Sequence, residues 1–190
     1  MDYTQKLKDY IEEERKVIDT LNVEEISTLM NVLEETRKNH GRIYICGNGG
    51  SGATASHFVC DFNKGVGVYC KDKYQFICLN DNIPSMLAIS NDISYDDVFS
   101  FQIDGVITSN DVLIGISGSG NSKNVVKAFE IANNAGAKTI ALCGYSGGKM
   151  KEMASYSVHV QSYNMQFCED IHMMLDHMMM FVLSNELKNA

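Results

Sequence analysis

The sequence predicts an α/β protein: a five-stranded parallel sheet flanked by helices, preceded by an N-terminal helix pair. Short apolar runs such as "DVLIGIS" and "KTIALCG" alternate with helical segments along most of the chain. Strands buried on both faces read as continuous apolar runs, and strands that alternate with helices pair in parallel. A chain of 190 residues with 45% hydrophobic content suits one such domain, with a sizeable core.

The elements follow from local spacing. Residues 3–39 read as two helices, since Ile26, Leu29 and Leu33 recur at helical intervals in the second. Apolar runs then predict strands at 43–46, 74–79, 111–117, 138–144 and 156–160. Helices are predicted between and after them at 52–63, 83–90, 94–104, 121–136 and 165–187. We expect a single domain over residues 1–190, with 1–40 used in packing or oligomerisation and 41–190 forming the core.

Composition limits the partners and the compartment. The net charge is -8 and no cluster of Lys and Arg is visible, so we expect no nucleic-acid partner. The apolar stretch "HMMMFVL" is too short to span a bilayer, and "MDYTQKLKDY" does not resemble a secretory signal. The six cysteines form no C-x-x-C pair, which is typical of free thiols in a reducing compartment. These features predict a cytoplasmic protein with no membrane partner.

A glycine loop, "GNGGSG" at residues 47–52, follows the first strand and precedes a helix. It matches G-x-G-x-x-G, the pattern of dinucleotide-binding loops. That reading needs an acidic residue about twenty positions on, at the end of the second strand, to bind a ribose hydroxyl. Asp72 has the spacing but precedes that strand, and Asp81 follows it but lies 29 residues beyond Gly52. We therefore expect no nucleotide cofactor.

A serine loop, "ISGSGNS" at residues 116–122, occupies the same position after the third strand. Its hydroxyls, its flexible glycines and the free N–H groups of the following helix can bind one phosphate monoester. The alternative is a serine that caps an ordinary turn. Both loops are predicted at the carboxyl edge of the sheet, where α/β proteins bind ligands.

Polar side chains with acid–base and metal-binding chemistry occur on two helices. His57 and Asp61 are four residues apart and share a helix face. The terminal helix carries a second set, and spacing alone does not choose between its two histidines: Glu169, His172, Asp176 and His177.

Five segments carry a family resemblance: "GNGGS", "ASHFVCDF", "SNDISYDDVFS", "GISGSGNSKNV" and "EDIHMMLDH". In this order, over about residues 5–187, the chain resembles the SIS (sugar isomerase) domain, and within it the phosphoheptose isomerases. The resemblance implies a SIS-type, flavodoxin-like three-layer fold and a homotetramer with sites between subunits. It also implies isomerisation of a sugar phosphate, sedoheptulose 7-phosphate to D-glycero-D-manno-heptose 7-phosphate, through an enediol. The alternative is a non-catalytic SIS module that binds a sugar phosphate or a protein partner, as a replication-initiator-associating relative does.

The resemblance assigns roles to individual residues. Asp61 matches the catalytic glutamate of the family and His177 its catalytic histidine, while His172 matches a histidine with a supporting role. The residues expected to bind substrate or its phosphate are Asn48, Gly49, Ser51, Asn91, Asp92, Ser117, Gly118, Ser119, Ser122 and Gln166.

Some phosphoheptose isomerases bind zinc, and the resemblance gives the ligands here as His57, Asp61, Glu169 and His177. Two imidazoles and two carboxylates suit tetrahedral zinc. We expect the two ligands on the terminal helix to come from a neighbouring subunit.

The chain departs from the family at several site positions. Asp61 is one methylene shorter than the family glutamate, and Glu169 replaces a glutamine. Gly118 replaces a hydroxyl residue and Gln166 an aspartate. Lys64 and Gly65 occupy the place where the family commonly has an arginine.

Overall fold

A parallel sheet of five strands forms the centre of the protein, which confirms the predicted fold class. The computed structural model describes residues 1–189, so the predicted end of the domain, residue 190, lies outside the described range. The strand order is β2-β1-β3-β4-β5. The strands are β1 (Ile43–Gly47), β2 (Phe76–Cys78), β3 (Val112–Ser117), β4 (Lys138–Cys143) and β5 (Tyr156–His159).

Helices cover both faces of this sheet. Strand side chains alternate between the faces, so Ile43 and Ile45 enter one core cluster while Tyr44 and Cys46 enter the other. The helices are α1 (Thr4–Ile18), α2 (Val23–Lys38), α3 (Gly50–Cys60), α4 (Ile83–Asp92), α5 (Ser100–Ile103), α6 (Lys123–Asn134), α7 (Gly148–Met153) and α8 (Met165–Lys188). The first cluster packs under α2, α3 and α8, and the second under α4 to α7.

The strand order brings the two glycine-containing loops together. The chain passes from β1 outward to β2 and then returns to β3 on the other side of β1. The loops after β1 and β3 therefore leave neighbouring strands in opposite directions, at the switch point where α/β sheets bind ligands.

The predicted elements differ from the observed ones in three places. The helix expected at 52–63 is α-helical only to Cys60 and continues as a π-helical turn, Asp61–Val66, and a 3-10 turn, Gly67–Tyr69. The segment 94–104 divides into a 3-10 turn and the short α5. The third difference is α7, which was not predicted because its glycine-rich beginning shows no helical pattern.

The π-helical turn gives the end of α3 its position against α8. Gly65 lies in this turn, and a Cβ placed there would be 2.5 Å from Cε of Met180. The glycine thus permits close packing of the two segments, and π-helical turns are frequent at functional sites. Within residues 1–189, no helix combines the length and the apolar character needed to cross a membrane.

Candidate functional site

The glycine loop and the serine loop are joined by a pair of amide side chains. Asn48 and Asn124, at the start of α6, each donate to the other's Oδ1 at 2.9 Å. The Tyr95 hydroxyl donates to the same Asn48 Oδ1 at 2.7 Å. The sequence analysis did not assign Asn124 or Tyr95 to the site, although both lie in the quoted segments, because their roles depend on contacts with Asn48 that are distant in sequence.

The serine loop has the features of an anion site. Ser117 Oγ and Ser122 Oγ lie 3.0 Å apart, and Ser119 Oγ accepts a hydrogen bond from the Asn121 amide at 3.2 Å. Ser122 is the N-cap of α6, yet its side chain caps no backbone N–H, so the first turn keeps donors for a ligand. Gly120 has φ +65°, and a Cβ there would overlap the carbonyl oxygen of Gly147.

The departure at Gly118 has a structural counterpart. A Cβ at Gly118 would overlap Sδ of Met165, the first residue of α8. The terminal helix therefore begins directly against the serine loop, in space that a larger residue at position 118 would occupy.

The glycine loop is not arranged for a second phosphate. Gly49 has φ +54° and open space around its Cα, and Ser51 is buried in the first turn of α3. The Glu169 carboxylate lies against Gly50, with Oε2 2.5 Å from where a Cβ would stand. A carboxylate suits the positive end of a helix but disfavours a pyrophosphate at the same place. The serine loop is thus the better phosphate site.

Three of the predicted substrate-binding residues lie outside these two loops. Asn91 and Asp92 are exposed at the end of α4, where the Asn91 amide donates to Asp92 Oδ1 at 2.7 Å. Gln166 is exposed in the first turn of α8, and its backbone N–H bonds Asn164 Oδ1 at 3.0 Å.

Four ligand-type side chains from α3, the π-helical turn and α8 converge. We call them the His–Asp group: His57, Asp61, Asp176 and His177, with one donor atom of each within 4.8 Å of the others. His57 Nε2 lies 3.0 Å from His177 Nε2, 3.5 Å from Asp61 Oδ2 and 4.0 Å from Asp176 Oδ2. His177 is exposed and Asp176 fully buried, so the group extends from the surface inward.

The inner members of α8 have strongly altered acidities. Burial, together with the nearby Asp61 charge, raises the pKa of Asp176 to about 8. Burial lowers the pKa of His172, one turn earlier, to about 4, an effect that the backbone of Cys143 partly opposes. Within residues 1–189, neither ring nitrogen of His172 and neither oxygen of Asp176 has a hydrogen-bond partner of normal geometry.

The structure corrects the expected arrangement of ligands in two respects. His177 reaches His57 within one chain, so the expectation of a neighbouring subunit is wrong for this contact. Glu169 lies outside the His–Asp group and Asp176 lies inside it. The sequence offered one signal for Asp176, a carboxylate within the apolar run "MMLDHMMM".

The fold, the serine loop and the His–Asp group are those of a sugar-phosphate-binding α/β domain, and comparison with known proteins gives the family. A model of the SIS domain matches residues 2–144. The chain is 37% identical over 176 residues to the phosphoheptose isomerase of Aliarcobacter butzleri, covering 92% of this chain and 91% of that protein. It is 40% identical over 158 residues to a Helicobacter pylori phosphoheptose isomerase, covering 82% and 81%. The chain therefore belongs to the SIS domain family, in its phosphoheptose isomerase branch, which confirms the resemblance.

Solved structures agree with this assignment. The phosphoheptose isomerase of Neisseria gonorrhoeae superposes with a TM-score of 0.88 at 28% identity, covering 97% of this chain and all of that one. A phosphoheptose isomerase from Francisella tularensis, at 24% identity and a TM-score of 0.88, supports the fold alone.

Proposed function

We propose that the protein isomerises sedoheptulose 7-phosphate to D-glycero-D-manno-heptose 7-phosphate. The observation that carries this proposal is the meeting of His57 and Asp61, at the end of the helix that the glycine loop begins, with His177 of α8. His57 lies seven residues after Gly50, about 10 Å along the helix axis. The substrate has its phosphate and its reacting carbons at opposite ends, so a separate anion loop and acid–base group suit it. The relatives named above also favour this reaction over a non-catalytic module.

The acid–base chemistry follows from two side chains. Without a bound metal, Asp61 takes the proton from C1 of the ketose while His177 gives a proton to the carbonyl oxygen at C2, which forms the enediol. Return of a proton to C2 and loss of the C1 hydroxyl proton then give the aldose. The phosphate stays at the serine loop throughout, held by Ser119 and the first turn of α6.

We further propose that the His–Asp group holds zinc. Its imidazole nitrogens and carboxylates are ligands that zinc commonly has in proteins, and the Asp176 carboxylate, which has no hydrogen-bond partner in the described part of the chain, fits a cation. When bound, zinc would polarise the carbonyl of the substrate as a Lewis acid. His57, Asp61 and His177 would hold it, so the same side chains are essential with or without the metal. Elemental analysis distinguishes the cases, since about one zinc per chain is expected and none contradicts the metal site.

The direct test is an isomerase assay. Purified protein is incubated with sedoheptulose 7-phosphate, and formation of the aldose is followed by chromatography. Turnover that is lost in an Asp61→Asn/His177→Ala double variant supports the proposal. Binding of the ketose phosphate without turnover would instead support a non-catalytic SIS module.

We also propose a homotetramer, in which α1 packs against other subunits. No residue of α1 is buried within the chain, although Leu7 and Ile11 are apolar. An apolar groove of about 360 Å³ also lies open between α2 and α8. Large apolar surfaces mark interfaces.

Light scattering should give a mass of four chains for the wild type. The double variant Leu7→Asp/Ile11→Asp should lower this number of chains, while the control Gln5→Asp should not. A monomeric wild type would contradict this arrangement.

We also propose that the protein functions in the cytoplasm. All six cysteines are free, and five of them are buried. Unpaired thiols of this kind persist in a reducing compartment.

A further inference from the structure

We infer that Asp176, and not Glu169, is the fourth zinc ligand of this chain. The inference rests on the proposed metal site but adds a residue that the family pattern does not supply. Three observations carry it: the geometry of the His–Asp group, the burial of Asp176 and the location of Glu169.

The donor atoms already have nearly the spacing that zinc requires. Zinc bonds of 2.0–2.2 Å in a tetrahedron separate neighbouring donors by about 3.3 Å. From His57 Nε2, the distances are 3.0 Å to His177 Nε2, 3.5 Å to Asp61 Oδ2 and 4.0 Å to Asp176 Oδ2. All four donors lie within 4.8 Å of one another, so movements of roughly an ångström bring them around one ion.

Asp176 has no other partner that accounts for its burial. Its side chain is fully buried on α8, and neither carboxylate oxygen accepts a hydrogen bond from the described residues. An unpartnered buried carboxylate is costly, and such groups in native proteins commonly face an ion or a water. The oxygen nearest to His57 points into the His–Asp group, where an ion would satisfy it.

Glu169 is engaged elsewhere. It precedes Asp176 by seven residues, about 10 Å along the axis of α8. Its carboxylate lies against Gly50 at the beginning of α3, where the helix dipole favours a negative charge. The carboxylate that the sequence pattern assigns to zinc thus faces the glycine loop, and Asp176 takes its place in the group.

The experiment compares Asp176→Asn with Glu169→Gln, two substitutions that each replace a carboxylate by an amide of the same shape. Zinc affinity of the purified full chain is measured by competition with a chromophoric chelator, and zinc content by elemental analysis after dialysis. Asp176→Asn should weaken zinc binding at least tenfold, while Glu169→Gln should stay within about twofold of the wild type. The reverse pattern, or a wild type that binds no zinc, overturns the inference.

A second variant keeps the inference testable if Asp176→Asn does not fold. Asp176→Leu removes the carboxylate and leaves an apolar side chain among the methionines of α8. Without metal, it should unfold at or above the temperature of the metal-free wild type, since the lost group had no partner. It should also lose the rise in melting temperature that zinc gives the wild type. A zinc-dependent rise that persists in Asp176→Leu overturns the inference.

These readouts need no substrate. Absence of isomerase activity in a wild type that still binds zinc through Asp176 would reject the proposed reaction and leave the ligand assignment intact. Activity with zinc held through Glu169 would do the opposite.

Discussion

The serine loop and the His–Asp group are both polar sites, but they are built differently. The loop is one continuous segment whose hydrogen bonds are mostly local, such as that between Ser119 and Asn121. The His–Asp group combines side chains 120 residues apart, such as His57 and His177, and includes a buried carboxylate that has no hydrogen-bond partner among residues 1–189. Most hydrogen bonds of the loop therefore form before any ligand binds. The group, in contrast, contains carboxylate oxygens that only a bound ligand, an ion or a proton can satisfy.

The largest effect expected from this contrast is on turnover. Asp61→Asn and His177→Ala should each lower kcat by about a hundredfold to ten-thousandfold, the range of general acid–base catalysis, with a smaller change in KM. Steady-state kinetics measure both parameters, and circular dichroism checks that the fold persists. A variant of either residue with near-normal kcat would show that the His–Asp group is not the acid–base centre.

The same contrast explains what the sequence could predict. The five strands and the serine loop follow from local patterns, because a buried strand and an anion loop are each made by consecutive residues. The His–Asp group depends on how α3 ends and meets α8, which involves the π-helical turn at Asp61 and the small Gly65. No local pattern shows that Asp176 enters this group and that Glu169 turns toward Gly50. The resemblance supplied His57, Asp61 and His177 but not this exchange.

A second effect, of intermediate size, concerns the pH dependence of stability and His172, which lies one turn before Asp176 on α8. Its pKa of about 4 lies below the unfolded value of 6.5, because burial disfavours the charged ring. The unfolded chain therefore binds more protons between these values, so stability is full above pH 6.5 and falls as the pH drops toward 4. Between pH 7 and 5 the loss should be about 2 kcal/mol.

The measurement must separate His172 from Asp176, whose raised pKa has the opposite sign. The folded chain binds a proton on Asp176 that the unfolded chain releases, so this residue favours folding more at lower pH. Urea unfolding of metal-free wild type and His172→Met at pH 7 and pH 5 cancels the shared contribution. We expect the wild type to lose about 2 kcal/mol more than the variant, and equal losses would contradict the assignment. Turnover should change less in this variant than in Asp61→Asn.

The smallest effect, and the sharpest test of the contrast, is expected in the serine loop. Ser119 Oγ accepts a hydrogen bond from the backbone N–H of Asn121, so its own O–H remains free to donate to a phosphate. Ser119→Ala should therefore raise KM about fivefold, equivalent to about 1 kcal/mol, with kcat nearly unchanged. Thr108→Ala is the control, since Thr108 Oγ1 also accepts from the backbone N–H two residues on, that of Asn110, but its O–H already donates to Asp111 Oδ2 and it precedes β3 at the opposite edge of the sheet. An unchanged KM in Ser119→Ala, or a rise no larger than that in Thr108→Ala, would move the phosphate away from this loop. A loss confined to kcat would mean that the two sites are not divided between binding and chemistry.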